Sequence, residues 1–349
     1  METAIVFKIA VLSTLAFIFA ILWTPLLTHF LYKFKMGKQI RDSKKTPIFS
    51  KLHKAKAGTP TMGGILIWLT VLIIAVVFWL LGTFTNIEFL QKLNFLTRAQ
   101  TLLPLGALIA CALIGLVDDY LNVKKIGPHG GGLSVSMRLG VYAIIAAIGA
   151  FWFYFKLDWD VFHVPFVGNF EVGWWYIPIF IFVIVATSFS INETDGLDGL
   201  AGGVLATSFA AFGAIAFTQG KFELATFCGV IAGALLAFLW FNINPARFFM
   251  GDTGAMALGV TLGIVAMLTN TAIFLIIICI IPVIESLSVI IQVLSKKIRK
   301  KKVFKSAPIH HHFQAMGWSE PKIVMRFWLI SGVAAVIGII LGLLDKGWY

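Results

Sequence analysis

The sequence predicts an all-α polytopic membrane protein, with ten transmembrane helices in a single integral-membrane domain over residues 1–349. Hydrophobic residues make up 59% of the chain and charged residues only 13%, whereas soluble domains are about half apolar and about a quarter charged. A soluble fold of this length cannot bury so many apolar side chains, but a helical bundle can expose them to lipid. The three cysteines stand singly in apolar runs, so their spacing supports neither a disulfide scaffold nor a metal cluster.

Ten apolar runs have the length of a membrane-crossing helix, which needs about 17 to 25 residues. In chain order they cover residues 4–31, 62–81, 101–117, 137–155, 174–191, 199–218, 222–241, 254–269, 271–294 and 324–345. The ninth run contains Pro282 and Glu285, so we expect this helix to be broken or bent. We expect Glu285 either to stabilise the bend with Ser286 or Ser288, or to face a cavity.

The distribution of basic residues predicts the orientation of the helices. Four connections, 32–60, 118–138, 242–254 and 295–326, hold 22 of the 28 Lys and Arg residues. Because cytoplasmic loops carry the excess of Lys and Arg, the odd-numbered helices should end in the cytoplasm and both termini should lie outside. The membrane then accounts for the net charge of +12, and we do not expect nucleic acid as a partner.

Acidic residues that could carry chemistry lie in the connections predicted to be cytoplasmic. Asp118 and Asp119 end the third helix after a long apolar run, and ionisable residues at such depth are costly and often functional. A helix end that pairs with nearby lysines is the alternative interpretation. Asp195, Asp198 and Asp252 lie on the same side. Because converging carboxylates repel each other, we expect Mg²⁺, bound by one or two carboxylates together with substrate phosphates.

Two glycine-rich segments lie on this side as well. Segment 249–254 leads into the eighth helix, where glycines and free N–H groups suit the close approach of phosphate oxygens. A turn with an aspartate N-cap is the alternative, and a Walker A loop is unsupported because no Gly-Lys-Ser/Thr follows. Segment 192–203 holds four glycines and two aspartates, and it predicts either a substrate-binding turn or a hinge of the kind that transporters use.

Histidines and one lysine complete the candidate set. His310, His311 and His312 cannot all face one metal ion from a regular helix or strand, but imidazoles could bind phosphate or transfer a proton near neutral pH. A solvated loop is the alternative. Lys56 precedes Thr61 in a segment shaped by Gly and Pro, where it could face a bound anion, whereas most lysines of this chain should face anionic lipid.

The position of the acidic residues separates two classes of protein. A transporter would place its carboxylates near the middle of the membrane at Gly or Pro breaks, but here they lie at helix ends. The residues alone therefore favour an enzyme that transfers a phosphoryl group to or from a lipid, with a membrane transporter as the alternative.

Five motifs occur together and in order along the chain. They are Thr-Pro-Thr-Met-Gly-Gly (59–64), Val-Asp-Asp-Tyr (117–120), Asn-Glu-Thr-Asp-Gly-Leu-Asp-Gly (192–199), Phe-Met-Gly-Asp-Thr-Gly (249–254) and Pro-Ile-His-His-His-Phe (308–313). In this combination the sequence resembles the phospho-N-acetylmuramoyl-pentapeptide transferases, the MraY family of the polyprenyl-phosphate N-acetylhexosamine-1-phosphate transferase superfamily. The resemblance covers nearly the whole chain.

The resemblance implies an activity and a location. Such enzymes transfer phospho-MurNAc-pentapeptide from UDP-MurNAc-pentapeptide to undecaprenyl phosphate with Mg²⁺, giving lipid I and UMP for peptidoglycan synthesis. It also implies ten transmembrane helices in the bacterial cytoplasmic (inner) membrane, a cytoplasmic active site and a homodimer. The related alternative is a transferase of GlcNAc-1-phosphate to polyprenyl phosphate, against which the histidine triplet argues.

The resemblance also implies roles for individual residues. Asp252 would be the Mg²⁺ ligand, with Asp195 and Asn192 as candidates for further ligands, while Asp118 and Asp119 would hold or activate the lipid phosphate. The implied catalytic set is Asp118, Asp119, Asp252 and His310. The implied substrate-binding set is Lys56, Thr61, Asn192, Asp195, Gly196, Leu197, Asp198, Asn242, Phe249, Gln292, His311 and His312.

Two positions depart from the family pattern. Glu193 stands where the family commonly has an apolar residue, and segment 127–138 is unusually rich in glycine. Arg138, at the end of this segment, aligns only loosely with a lysine of relatives. No role is assigned to Glu193 or Arg138.

Overall fold

α-Helices form most of the protein. The computed structural model describes residues 2–37, 56, 58–128 and 131–345. Within these residues the α-helices are α1 (Glu2–Lys33), α2 (Ile65–Phe84), α3 (Glu88–Leu93), α4 (Leu102–Val123), α5 (Val135–Lys156), α6 (Tyr176–Thr194), α7 (Leu200–Thr218), α8 (Phe222–Asn242), α9 (Asp252–Leu268), α10 (Leu275–Ile278), α11 (Ile280–Arg299), α12 (Ile309–Ala315) and α13 (Glu320–Leu344). The predicted helical class is confirmed.

Eight or nine of the ten predicted membrane-crossing helices are supported by helix length and composition. Among the described residues, eight helices are long and apolar enough to cross a membrane: α1, α2, α4, α5, α6, α7, α8 and α13. The bent pair α10 and α11, with the turn before it, would be a ninth. Helix α9 is apolar but, with 17 residues, is shorter than each of these eight. The protein is therefore a multi-pass membrane protein with eight or nine such helices in its described part.

The break predicted in the ninth apolar run is confirmed. The helix axes of α10 and α11 differ by 87°, and Cys279 separates the two helices. Pro282 lies in the first turn of α11, where the missing N–H of a proline removes no hydrogen bond within the helix. The run therefore bends three residues before the proline, and α11 continues with the proline in its first turn.

A small β-hairpin is the part of the fold that the sequence did not predict. Strand β1 (Val161–Val164) pairs antiparallel with strand β2 (Gly168–Glu171). His163 of β1 is buried, with Nδ1 2.7 Å from Asn169 Oδ1 and Nε2 2.7 Å from Asp345 Oδ2. These contacts attach the hairpin to the C-terminal end of α13.

Helix α9 lies inside the bundle. Every residue from Thr253 to Leu268 is buried, as expected of a helix that is apolar on all sides, and α4 and α6 pack directly against it. Glycines allow this close approach, since a Cβ on Gly259 would lie 2.8 Å from the Cα of Ser188. Protein therefore surrounds the helix that begins with Asp252.

Candidate active site

Arg138 contacts two acidic residues and one asparagine from three other helices. Its Nε lies 2.8 Å from Asp118 Oδ2, and its Nη2 lies 2.9 Å from Asp252 Oδ2. Its Nη1 donates to Asn192 Oδ1 at 3.2 Å, and Asn192 Nδ2 donates to Asp252 Oδ1 at 2.7 Å. We call these four residues the Arg138 cluster. They come from α4, α5, α6 and α9 and bring together two carboxylates, one amide and one guanidinium.

A glycine turn places Arg138 against Asp118. Gly132 has a φ of +77°, and a Cβ there would lie only 2.7 Å from Asp118 Oδ1. The next residue, Leu133, donates its N–H to the same oxygen at 2.5 Å. Helix α5 starts directly afterwards, with Ser134 as its N-cap. Gly132 and Leu133 therefore pack against the carboxylate of Asp118, and Arg138 follows in the first turn of α5.

Asp119, next to Asp118 on α4, binds the segments that contain Thr61 and Thr253. Its Oδ1 accepts a hydrogen bond from Thr61 Oγ1 at 3.1 Å, and its Oδ2 accepts one from the N–H of Thr253 at 3.1 Å. One N–H at the start of α9, where we expected phosphate, thus binds a carboxylate of the protein itself. Both contacts tie Asp119 to the two glycine-rich segments.

These two segments, 59–64 and 249–254, run side by side. The N–H of Gly63 donates to Phe249 O at 2.7 Å and the N–H of Gly64 donates to Met250 O at 2.8 Å. A Cβ on Gly64 would collide with Gly254. The glycines of both motifs therefore allow two backbones to pack closely at the start of α9.

Gly251 offers a direct test of this packing. We expect Gly251→Ala to destabilise the protein by roughly 1–3 kcal/mol from backbone strain alone, because its φ is +73° and a Cβ would also collide with Asp119. Gly106→Ala is the matched control, since a Cβ on Gly106 within α4 would meet open space. Thermal unfolding in detergent measures both variants, and equal melting temperatures would contradict the prediction.

A second group of charged residues surrounds Lys56. Its Nζ lies 2.6 Å from Asp198 Oδ1 and 2.5 Å from Glu320 Oε1. Glu320 Oε1 also accepts the N–H of Asp198 at 2.6 Å, and Asp198 Oδ2 accepts from Asn244 Nδ2 at 2.9 Å. We call Lys56, Asp198 and Glu320 the Lys56 cluster. Lys56 Nζ lies 5.7 Å from the centroid of the Phe249 ring, within the range of a cation–π contact.

Asn242 connects the turn before α7 with the loop after α8. Its Oδ1 accepts the N–H of Gly199 at 2.9 Å, and its Nδ2 donates to Phe248 O at 2.8 Å. Gly199 has a φ of +81°, and its carbonyl accepts Trp328 Nε1 at 3.0 Å. Segment 192–199, which holds Asn192 and Asp198, is thus attached to segment 243–252, which holds Asp252.

His310 is paired with Glu285 in the interior. Its Nδ1 lies 2.9 Å from Glu285 Oε2, and both residues are fully buried. Burial, together with the charge of Lys56, lowers the pKa of His310 to about 3, so the imidazole is neutral near pH 7. Its Nε2 has no hydrogen-bond partner among the described residues and is so close to Gly196 that a Cβ there would collide with it.

The position of Glu285 corrects one expectation. Its side chain contacts His310 rather than Ser286 or Ser288. Ser286 accepts from Ser190 Oγ at 2.8 Å, and Ser288 Oγ donates to the backbone carbonyl of Glu285 at 2.6 Å. Glu285 therefore orients His310 and does not brace the bend through these serines.

The neutral state of His310 predicts an acid-dependent loss of stability. The unfolded chain takes up a proton at this imidazole below about pH 6.5, but the folded chain does so only near pH 3. The stability from neutral His310 is thus complete above pH 6.5 and is lost as the pH falls toward 3. We expect the melting temperature of the wild type to fall toward that of His310→Gln between about pH 6.5 and pH 4. A constant difference between the melting temperatures of the two proteins over this pH range would contradict the prediction.

The Arg138 cluster has too few ligands to hold a divalent cation without help from water or substrate. Two carboxylates and an amide oxygen lie within hydrogen-bonding distance of one guanidinium, and these are the oxygen donors that Mg²⁺ prefers. Among the described residues, no group of three or more His, Cys, Asp or Glu side chains could hold a metal ion. The donors therefore fit an ion that completes its coordination with water and substrate oxygens.

Comparison with known proteins assigns the family. The profile described as Glycosyl transferase family 4 matches residues 101–270, and the phospho-N-acetylmuramoyl-pentapeptide-transferase signature 1 matches residues 56–67. The phospho-N-acetylmuramoyl-pentapeptide-transferase of Chloroflexus aggregans is 38% identical in an alignment of 346 positions that covers 95% of this chain and 89% of the relative. That of Bacillus anthracis is 40% identical in an alignment of 337 positions that covers 95% of this chain and 97% of the relative. The chain belongs to the phospho-N-acetylmuramoyl-pentapeptide-transferase family.

This assignment confirms the resemblance inferred from the five motifs, and the structure shows where the other predicted residues of this transferase lie. Asp195 follows α6 as its C-cap residue, and Leu197 is buried against α13. Gln292 Oε1 accepts the N–H groups of Val303 and Phe304, both at 3.0 Å. Gln292 thus holds the loop that precedes α12.

The three histidines of the transferase point in different directions from α12. His310 faces Glu285, while His311 Nδ1 lies 2.8 Å from Gln314 Oε1. His312 Nδ1 accepts the N–H of Lys305 at 3.1 Å. His310 and His311 are therefore both buried, and of the three histidines His310 is the one that pairs with Glu285.

Two residues in this transferase site, Arg138 and Glu320, were not predicted. An arginine at a predicted cytoplasmic helix end is common, so the glycine-rich segment before Arg138 was the only sequence signal for its role. Glu320 stands at the start of α13 before Pro321, as expected of an acidic residue in the first turn of a helix. Its contact with Lys56 spans 264 positions, and no local pattern indicates it.

Proposed function

We propose that this protein transfers phospho-MurNAc-pentapeptide from UDP-MurNAc-pentapeptide to undecaprenyl phosphate, giving lipid I and UMP for peptidoglycan synthesis, with Mg²⁺. The observation that carries the proposal is the identity of 37–40% with named transferases along 95% of the chain. The site agrees with it, because carboxylates, a lysine and a buried histidine gather at helix ends, where a lipid phosphate and a soluble nucleotide could both arrive.

The proposal includes a location and an orientation. Ten crossing helices would be the eight long helices, the bent pair α10–α11 and the buried α9, with both termini outside the bacterial cytoplasmic membrane. Most basic residues lie in the connections that carry the site, which favours a cytoplasmic active site; those of 38–55 are outside the described residues. A homodimer rests on the family resemblance alone.

The reaction requires two anions to meet. An oxygen of the lipid phosphate attacks the phosphorus that carries the sugar, and the bond to the UMP oxygen breaks, so that UMP leaves with the electron pair. The bond that forms and the bond that breaks are both phosphoanhydrides, so the transfer needs little driving force. The lipid phosphate is already an anion, so we favour direct attack over a phospho-enzyme on Asp118 or Asp119.

The residues of the chain would act by holding charge. Asp252, with Asp118 and Asn192, would hold Mg²⁺, which would neutralise the phosphates during the transfer. Lys56 is fixed by two carboxylates, so its charge has a defined position for the nucleotide diphosphate. Neutral His310, held by Glu285, would present Nε2 to the diphosphate or sugar beside Gly196.

Release of UMP tests the function directly. Purified protein in detergent would receive undecaprenyl phosphate and Mg²⁺ with either UDP-MurNAc-pentapeptide or UDP-GlcNAc, each with an EDTA control. We expect metal-dependent UMP from the muramoyl substrate alone. UMP from UDP-GlcNAc alone would move the protein to the related branch, and no UMP from folded protein would overturn the enzymatic proposal. UMP that persists in EDTA would overturn the Mg²⁺ dependence only.

A further inference from the structure

All three nitrogens of the Arg138 guanidinium contact polar side chains of the site, two of them carboxylates. Nε contacts Asp118, Nη2 contacts Asp252, and Nη1 contacts Asn192, with separations between 2.8 and 3.2 Å. The planar fork of an arginine fixes all three directions at once. The side chain is four-fifths buried, so the protein rather than solvent determines this position.

Arg138 supplies the positive charge of this cluster. Asp118 and Asp252 carry two negative charges, and each also binds a neutral group, the N–H of Leu133 for Asp118 and the amide of Asn192 for Asp252. Asp119 accepts hydrogen bonds from Thr61 and the N–H of Thr253 and lies outside the cluster. Without the guanidinium, the charges of the two carboxylates would be uncompensated and would repel each other. The affinity of the cluster for any cation would therefore rise.

The guanidinium and a divalent ion need the same oxygens. A Mg²⁺ ion held by Asp252 and Asp118 would lie within about 2–2.1 Å of their oxygens, where the nitrogens of Arg138 now approach. Two positive charges this close in a mostly buried site repel strongly. The two cations therefore cannot share both carboxylates.

We propose that Arg138 is a built-in counter-cation that competes with the divalent metal for Asp118 and Asp252 and thereby weakens metal binding in the substrate-free enzyme. This inference rests on the proposed Mg²⁺ dependence. When the metal binds, the guanidinium leaves these carboxylates and faces the phosphate oxygens of the substrate, for which its fork geometry is suited. Metal and substrate then bind together more favourably than either binds alone.

Binding of Mn²⁺ to the full-length protein without substrate tests the competition. Free Mn²⁺ would be measured by electron paramagnetic resonance for the wild type, Arg138→Gln, Arg138→Lys and Arg326→Gln. Arg326 is an exposed arginine over the Trp318 ring, which makes its replacement a matched control. We expect Arg138→Gln to bind Mn²⁺ about tenfold more tightly or better, because the negative charges of the two carboxylates are then no longer compensated by a guanidinium.

The other variants separate the outcomes. Arg138→Lys should bind with intermediate affinity, since an ammonium is a point charge that cannot pair with both carboxylates as the fork does, and Arg326→Gln should match the wild type. If Arg138→Gln does not fold without metal, the comparison of Arg138→Lys with the wild type still tests the inference. Equal or weaker binding by both Arg138 variants would overturn the inference and leave the Mg²⁺ proposal intact. Absence of Mn²⁺ binding in every folded protein would overturn the Mg²⁺ proposal and the inference with it.

Discussion

Asp252→Asn should lower the rate of UMP release by about two to three orders of magnitude while the protein stays folded. The amide keeps the shape of the side chain but removes the charge that pairs with Arg138 at 2.9 Å and that would hold Mg²⁺. Its NH₂ group would also face donors, since Asn192 Nδ2 already donates to Asp252 Oδ1. Turnover at saturating substrate and the melting temperature in detergent should be measured on the same preparation.

The control for this prediction is Asp158→Asn. Asp158 is exposed in the loop between α5 and β1 and has a φ of 49°, in the left-handed region that asparagine also tolerates. Its replacement should leave both turnover and melting temperature unchanged. Near-native turnover by Asp252→Asn at ordinary Mg²⁺ would remove Asp252 from the proposed metal site.

Lys56→Met should be strongly destabilising as well as inactive. It leaves Asp198 and Glu320 without the ammonium that lies within 2.6 Å of both. Removing one partner of a buried ion pair costs about 3–5 kcal/mol, because the remaining charge is uncompensated. Unfolding in detergent by heat or denaturant measures the loss, and Lys322→Met, at an exposed lysine over the Trp318 ring, is the matched control.

A second substitution tests the cause of that loss. Adding Glu320→Gln to Lys56→Met removes one of the two stranded carboxylates and should recover part of the stability, whereas activity should stay low because the lysine is still absent. If the double variant is less stable than Lys56→Met, the stranded charges are not the cause. Glu320 would then stabilise the turn through the N–H of Asp198 rather than through Lys56.

The helices of this protein follow from local composition, and for that reason most of them could be predicted. Apolar runs of sufficient length gave the long helices within a few residues, and the proline in the ninth run indicated its bend. The burial of helix α9 inside the bundle could not be predicted, because its sequence is as apolar as that of a lipid-facing helix. Composition cannot distinguish burial in protein from burial in lipid.

The candidate site could be predicted only where motifs carry it. Aspartates in glycine-rich turns stood out, and the structure brings Asp118 and Asp252 together. Arg138 and Glu320 are single charged residues at helix starts, and such residues usually face water. Their partners come from distant segments, such as Lys56 for Glu320, so packing rather than any local pattern determines their contacts.

Because α9 is buried in protein, the position of Asp252 relative to the other site residues does not depend on the thickness of the bilayer. With 17 residues and a rise of 1.5 Å per residue, the helix is about 25 Å long, shorter than a hydrocarbon core of about 30 Å. A lipid-facing helix of that length would have to resolve a hydrophobic mismatch by thinning the membrane around it. Helix α9 touches other helices instead, so thicker or thinner membranes would tilt the outer helices while Asp252 keeps its depth relative to Asn192 and Arg138.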